Sequence, residues 1–232
     1  MPYFYIDPYY IVLVIPAILL SLLAQVRVKT TFHKYSQVGN YRGLTGAQAA
    51  ARILQDNGIT NVRVERVGGN LTDHFDPKAM VIRLSDSVYN SSSIAAVGVA
   101  AHEAGHAVQH AVGYTPIRIR NAIVPVVNFG SALSWPLVLF GIIFSYSFLI
   151  NIGILLFCST LVFQLVTLPV EFNASSRAMA ILGSSGMLSG QELKGARSVL
   201  TAAAMTYVAA VIVSFAHLLR LLLLTRGSRR DD

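Results

Sequence analysis

Four long apolar runs decide what this 232-residue chain can become. They extend from about Tyr9 to Val26, Ile123 to Phe144, Phe148 to Val170 and Ala202 to Leu224. A helix needs roughly 20 apolar residues to cross the hydrocarbon core of a bilayer. Each run is of that order. In lipid only helices or closed barrels satisfy their own backbone hydrogen bonds, and runs this long without alternation are helical. Composition agrees, since only 12% of residues are charged where a soluble domain has about 25%. The expected fold is therefore a mainly α membrane protein with about four transmembrane helices.

The runs divide the chain. Residues 1–26 read as an N-terminal anchor: the run is uncharged, Arg27, Lys29 and Lys34 follow it, and no basic side chain precedes it, which does not fit a cleaved signal peptide. Residues 121–170 form a transmembrane hairpin that turns at Ser145-Tyr146-Ser147. Residues 202–232 form a last helix with a basic tail, Thr225 to Arg230. His217 and Arg220 inside that helix are costly in lipid and must face protein or an interface.

Residues 27–120 look different. Thr45 to Asn57 reads as a helix with Thr45 as N-cap and Gly58 as its stop. Asn61 to Val67 alternates as a half-buried strand, Gly68-Gly69-Asn70 turns, and Ala79 to Ser85 reads as a second strand. Ser91-Ser92-Ser93 then caps a long helix to about Val112. A shorter polar segment, 171–201, separates the third and fourth runs. The two polar segments share their side of the membrane with Arg27, Lys29, Lys34, Arg118, Arg120, Arg177, Lys194 and Arg197, against Arg226, Arg229 and Arg230 opposite. The positive-inside rule places them in the cytoplasm. The net charge of +7 follows from these flanking residues, which suit a lipid bilayer, and lacks the aromatic interleaving of a nucleic-acid surface. Cys158 is the single cysteine, so metal would be held by His and carboxylates.

The long helix carries His102-Glu103-Ala104-Gly105-His106. Positions i and i+4 share one helix face, so His102 and His106 can aim at one zinc ion, with Glu103 beside them to accept a proton from the attacking water. Catalytic zinc takes three protein ligands and keeps one position open. His110 extends the series but lies about 12 Å from His102 along the axis, too far to share the ion. Glu171 is the better third ligand. It opens Glu171-Phe172-Asn173-Ala174 directly after the third run, a pattern by which a second helix presents a carboxylate in His/His/Glu zinc proteases. Oxyanion donors are open among His74, Arg177 and Tyr207. The strand Ala79 to Ser85 is either the sheet edge that pairs with a peptide or simply the last strand of the sheet.

Together these residues resemble the YugP-type family of membrane-bound neutral zinc metallopeptidases. The resemblance covers nearly the whole chain: the anchor, LTDHFDP at Leu71–Pro77, VIRLS at Val81–Ser85, AAHEAGHAVQ at Ala100–Gln109, EFNASSRA at Glu171–Ala178 and TAAAMTYVAA at Thr201–Ala210. It implies a small α+β zincin-like domain carrying the His-Glu-x-x-His helix. It also implies Zn2+ on His102, His106 and Glu171, with Glu103 as base and a peptide or membrane protein as substrate. The layout is also similar to HtpX-like and CAAX-processing membrane proteases. Those carry Asp where this chain has Ser175, so the residue orienting a zinc-bound His is sought among Ser175, Asn173 and Asp73. Two other functions compete: a non-catalytic membrane adaptor that keeps a structural zinc, in which Glu103 would be dispensable, and a metal transporter. A transporter places ligands near the bilayer midplane, and here the His pair lies outside the predicted spans.

Overall fold

The computed structural model describes residues 7–228, with side chains to 224. Arg229 and Arg230 of the basic tail lie outside the described residues. The chain is mainly helical. A short stretch of π-helix, Tyr10–Val14, leads into α1 (Ile15–Ser36). Then come α2 (Gly46–Asp56), β1 (Arg63–Val67), β2 (His74–Asp76), β3 (Val81–Ser85), α3 (Asp86–Tyr89), α4 (Ile94–Ala111), α5 (Thr115–Ile143), α6 (Ser147–Ser184) and α7 (Gly190–Ser228). Among the described residues, four helices are long and apolar enough to cross a membrane: Tyr10–Ser36, Thr115–Ile143, Ser147–Ser184 and Gly190–Leu224. α6 and α7 are longer than the apolar runs inside them. Hydropathy marks the part that suits lipid, whereas a helix ends only where its backbone bonding stops.

The described residues form two compact units: 7–24, 119–168 and 206–228 in one, 25–118 and 169–205 in the other. The first unit is built from apolar helices whose large side chains stay exposed, among them Leu23, Phe129, Ile143 and Leu155, as lipid-facing surface requires. Its buried contacts centre on Val138, Ile154, Phe157 and Leu221. The ionisable residues of the last run face protein, as expected. The Arg220 guanidinium donates to Asp7 Oδ2 at 2.7 and 3.0 Å and lies 5.1 Å from the Tyr10 ring centre. His217 packs edge-on against Trp135 and Phe157.

The second unit holds the small α+β part. Thr45 caps α2 in a reciprocal box with Gln48, each side chain bonding the other's backbone N–H. The chain leaves α2 through Gly58 at φ +69°, the left-handed region that glycine tolerates best. Ser93 caps α4 by accepting from Ala96 N–H. The sheet has three strands in the order β1-β3-β2, with β1 parallel and β2 antiparallel to β3. This corrects one expectation: β3 is the central strand, so it is not an edge. His74 sits on the short strand β2. β3 is buried at four of its five positions, as a strand paired on both sides is. The three-residue β2 escapes notice because Asp is depleted in strands. Asp73 pins the end of β3 by accepting from Ser85 N–H at 2.7 Å and from the Ser85 hydroxyl. Its partial burial pushes its carboxyl above the ordinary 3.8, against the lowering effect of those bonds.

Candidate metal centre

α4 is buried along nearly its whole length, and small residues explain how. Ala100, Ala101, Ala104 and Ala107 are at most 1% exposed and let neighbouring backbones come close. Gly105 marks the tightest approach. A Cβ there would lie 2.8 Å from the Ala174 carbonyl oxygen of α6. α6 therefore passes against the motif itself, and the residue one turn before Ala174 is Glu171.

That crossing brings three donors together. His102 Nε2 lies 3.2 Å from Glu171 Oε2 and 3.2 Å from His106 Nε2, and His106 Nε2 lies 3.6 Å from Glu171 Oε2. Tetrahedral zinc with bonds near 2.0–2.1 Å holds its ligands roughly 3.3–3.5 Å apart. The triangle has the size of an ion, and two imidazoles with one carboxylate form a donor set that zinc favours. Among the described residues this is the group of three that could hold a metal. Glu171 is 3% exposed and Glu103 is 8% exposed. A carboxylate buried so deeply needs a cation or hydrogen-bond donors beside it. Burial alone would push His106 down, but hydrogen bonding to Glu171, the charges of Glu103 and Glu171, and Gln109 outweigh it and hold His106 above its ordinary value.

The chain belongs to the neutral zinc metallopeptidase family. Residues 10–226 match the family described as "Putative neutral zinc metallopeptidase". The chain is also 48% identical over 223 residues to a Bacillus subtilis (strain 168) protein named "Putative membrane protease YugP", covering 96% of this chain and 99% of that one. No solved structure matches it. The family makes zinc the metal for this donor set.

Ser175 Oγ lies 3.1 Å from His102 Nδ1, on the far side of the ring from the metal face. Asn173 Oδ1 accepts from Arg177 Nε at 2.8 Å and from Gln109 Nε2 at 3.0 Å. Asp73 is engaged with Ser85 instead of a ligand histidine. His74 is exposed, with Nδ1 2.8 Å from the Thr72 carbonyl and Nε2 3.5 Å from Arg83. His110 stacks obliquely on Phe75 at 5.8 Å. Tyr207 belongs to the other unit. Gln109 is the residue that sequence reasoning passed over. It is fully buried, and its Oε1 lies 3.0 Å from His106 Nδ1. Its signal was available: three residues after His106 and seven after His102, it falls on the ligand face of α4.

Proposed function

We propose that this chain is a membrane-anchored zinc endopeptidase whose catalytic unit, arranged like a zincin, faces the cytoplasm. The observation that carries this reading is the ion-sized triangle of His102, His106 and Glu171 with Glu103 buried one residue from the first ligand. His102, His106 and Glu171 would hold the zinc ion, which would supply a water of lowered pKa and polarise a peptide carbonyl. Glu103 accepts the proton of the attacking water and delivers it to the leaving amine. Ser175 and Gln109 hold the far nitrogens of the two rings and keep their Nε2 atoms turned inward. With β3 central, the extended substrate pairs with β2, an edge strand whose Phe75 meets His110 of α4. The cytoplasmic side follows from the basic residues that flank the spans on the polar segments.

The test is Glu103→Gln in the full chain in detergent. Zinc content should stay at the wild-type level while peptide hydrolysis falls by about 10²–10⁴, the usual weight of a general base. Undiminished cleavage by this variant would remove Glu103 from the mechanism and with it the peptidase reading.

A further inference from the structure

We infer that Gln109 is a positioning residue that fixes the tautomer of His106 and couples the zinc site to the docking of α6 on α4. The inference rests on the zinc-site reading above and adds a residue and a device to it.

Gln109 is fully buried, so each polar atom of its amide needs a partner. One end of the amide lies 2.8 Å from the Val170 backbone carbonyl. A carbonyl oxygen only accepts, so the atom facing it must be the NH₂ group. The same NH₂ donates to Asn173 Oδ1 at 3.0 Å. Asn173 is itself oriented, because Arg177 Nε only donates and lies 2.8 Å from that oxygen. The other end of the Gln109 amide is therefore the oxygen, and it faces His106 Nδ1 at 3.0 Å. An amide oxygen only accepts, so Nδ1 carries the proton. In the neutral ring Nε2 then keeps the lone pair that a metal ion takes, and it lies on the face shared with Glu171 Oε2 and His102 Nε2. A main-chain carbonyl of α6 thus sets an amide on α4, and the amide sets the form of the histidine that zinc requires.

His102 provides the contrast. Its Nδ1 partner is the Ser175 hydroxyl, which can donate or accept and so dictates no tautomer. The two ligands of α4 are therefore held unequally, and Gln109 carries the stricter constraint. Val170 and Asn173 flank Glu171 in sequence. The bonds that orient His106 therefore also fix the stretch of α6 that presents the third ligand.

The experiment compares Gln109→Leu and Gln109→Glu with wild type in the full detergent-solubilised chain. Zinc affinity is read by competition with a chromogenic chelator, and stability by thermal unfolding of the zinc-free protein. Leu removes every polar contact. Glu keeps an acceptor for His106 Nδ1 but turns a carboxylate oxygen toward the Val170 carbonyl. Gln109→Leu should bind zinc about 10–100-fold more weakly, the usual cost of losing a partner behind a ligand. Gln109→Glu should bind more tightly than Gln109→Leu while melting lower without zinc. Opposite orders in the two measurements are the signature of positioning, whereas the same order in both, or zinc affinity in Gln109→Leu within twofold of wild type, overturns the inference. His106→Ala separates the two readings. Loss of zinc there with none in Gln109→Leu defeats the positioning role alone, and full zinc retention in His106→Ala defeats the site itself.

Discussion

α4 supplies two nitrogen donors from one turn of helix, whereas α6 supplies a single oxygen donor 65 residues after His106, where an apolar run ends. The first pair needs nothing but helical periodicity to converge. The third donor needs a helix crossing, and that crossing is built from the Gly105–Ala174 approach and the bonds of Gln109 to Val170 and Asn173. The difference teaches that half of this site is local and half is tertiary. Zinc affinity should therefore respond to changes that touch no ligand, provided they disturb how α6 lies on α4.

The largest expected effect tests whether the two halves weigh alike. Glu171→Ala removes the α6 donor and leaves two imidazoles facing one another at 3.2 Å. Its zinc affinity should fall by more than the about 100-fold that loss of an outer partner costs, and hydrolysis should vanish with it. His106→Ala is the matched change on α4. Metal analysis after chelator challenge should show comparable losses. Zinc retained by Glu171→Ala would make α4 sufficient by itself and break the comparison.

A smaller effect follows from Gly105→Ala. One methyl group aimed at a backbone oxygen 2.8 Å away cannot be absorbed by a side-chain rotation. The helices must part, at about 1–3 kcal/mol of overpacking. The melting temperature should drop, and zinc binding should weaken although His102, His106 and Glu171 are intact. Wild-type zinc affinity in a destabilised Gly105→Ala protein would show that the third ligand tolerates displacement of its helix, and the tertiary half of the comparison would lose its force.

The same division explains what could be read from the sequence. The four spans, the Thr45 cap, the Ser93 cap and the His102/His106 face all rest on local rules of length, capping and period. Glu171 was legible through a resemblance of its surrounding residues, not through spacing from the histidines. β3 looked like an edge because nothing in Val81-Ile82-Arg83-Leu84-Ser85 announces a partner strand as short as His74–Asp76. Helical period puts Gln109 on the face of His102 and His106, but its partners Val170 and Asn173 lie more than 60 residues away, where no local rule reaches. Residues 147–184 form one helix through Pro169, although the apolar run stops at Val170. Proline costs a helix one N–H, a loss that a helix packed among others tolerates.

The smallest effect lies in the sheet, apart from both ligand helices, and it sharpens the comparison by serving as its control. Asp76 accepts from Arg83 at 2.9 Å and from the backbone N–H groups of Lys78 and Ala79. The Arg83 guanidinium, with those two N–H groups, lowers its carboxyl from 3.8 to about 2. A carboxyl held lower in the folded chain than in the unfolded one stabilises the fold above the unfolded value. That contribution is complete above about pH 4 and fades as the pH falls toward about 2. Asp76→Asn should therefore lower stability modestly near neutrality and flatten the acid limb between those values, because position 76 then binds no proton in either state. Both side chains of the ion pair keep 29% of their surface exposed to screening water, so the change in melting temperature should be small. Zinc affinity at neutral pH should not move. A zinc defect in Asp76→Asn would mean that β2 and β3 transmit strain to α4, and the site would then be tertiary on both of its sides.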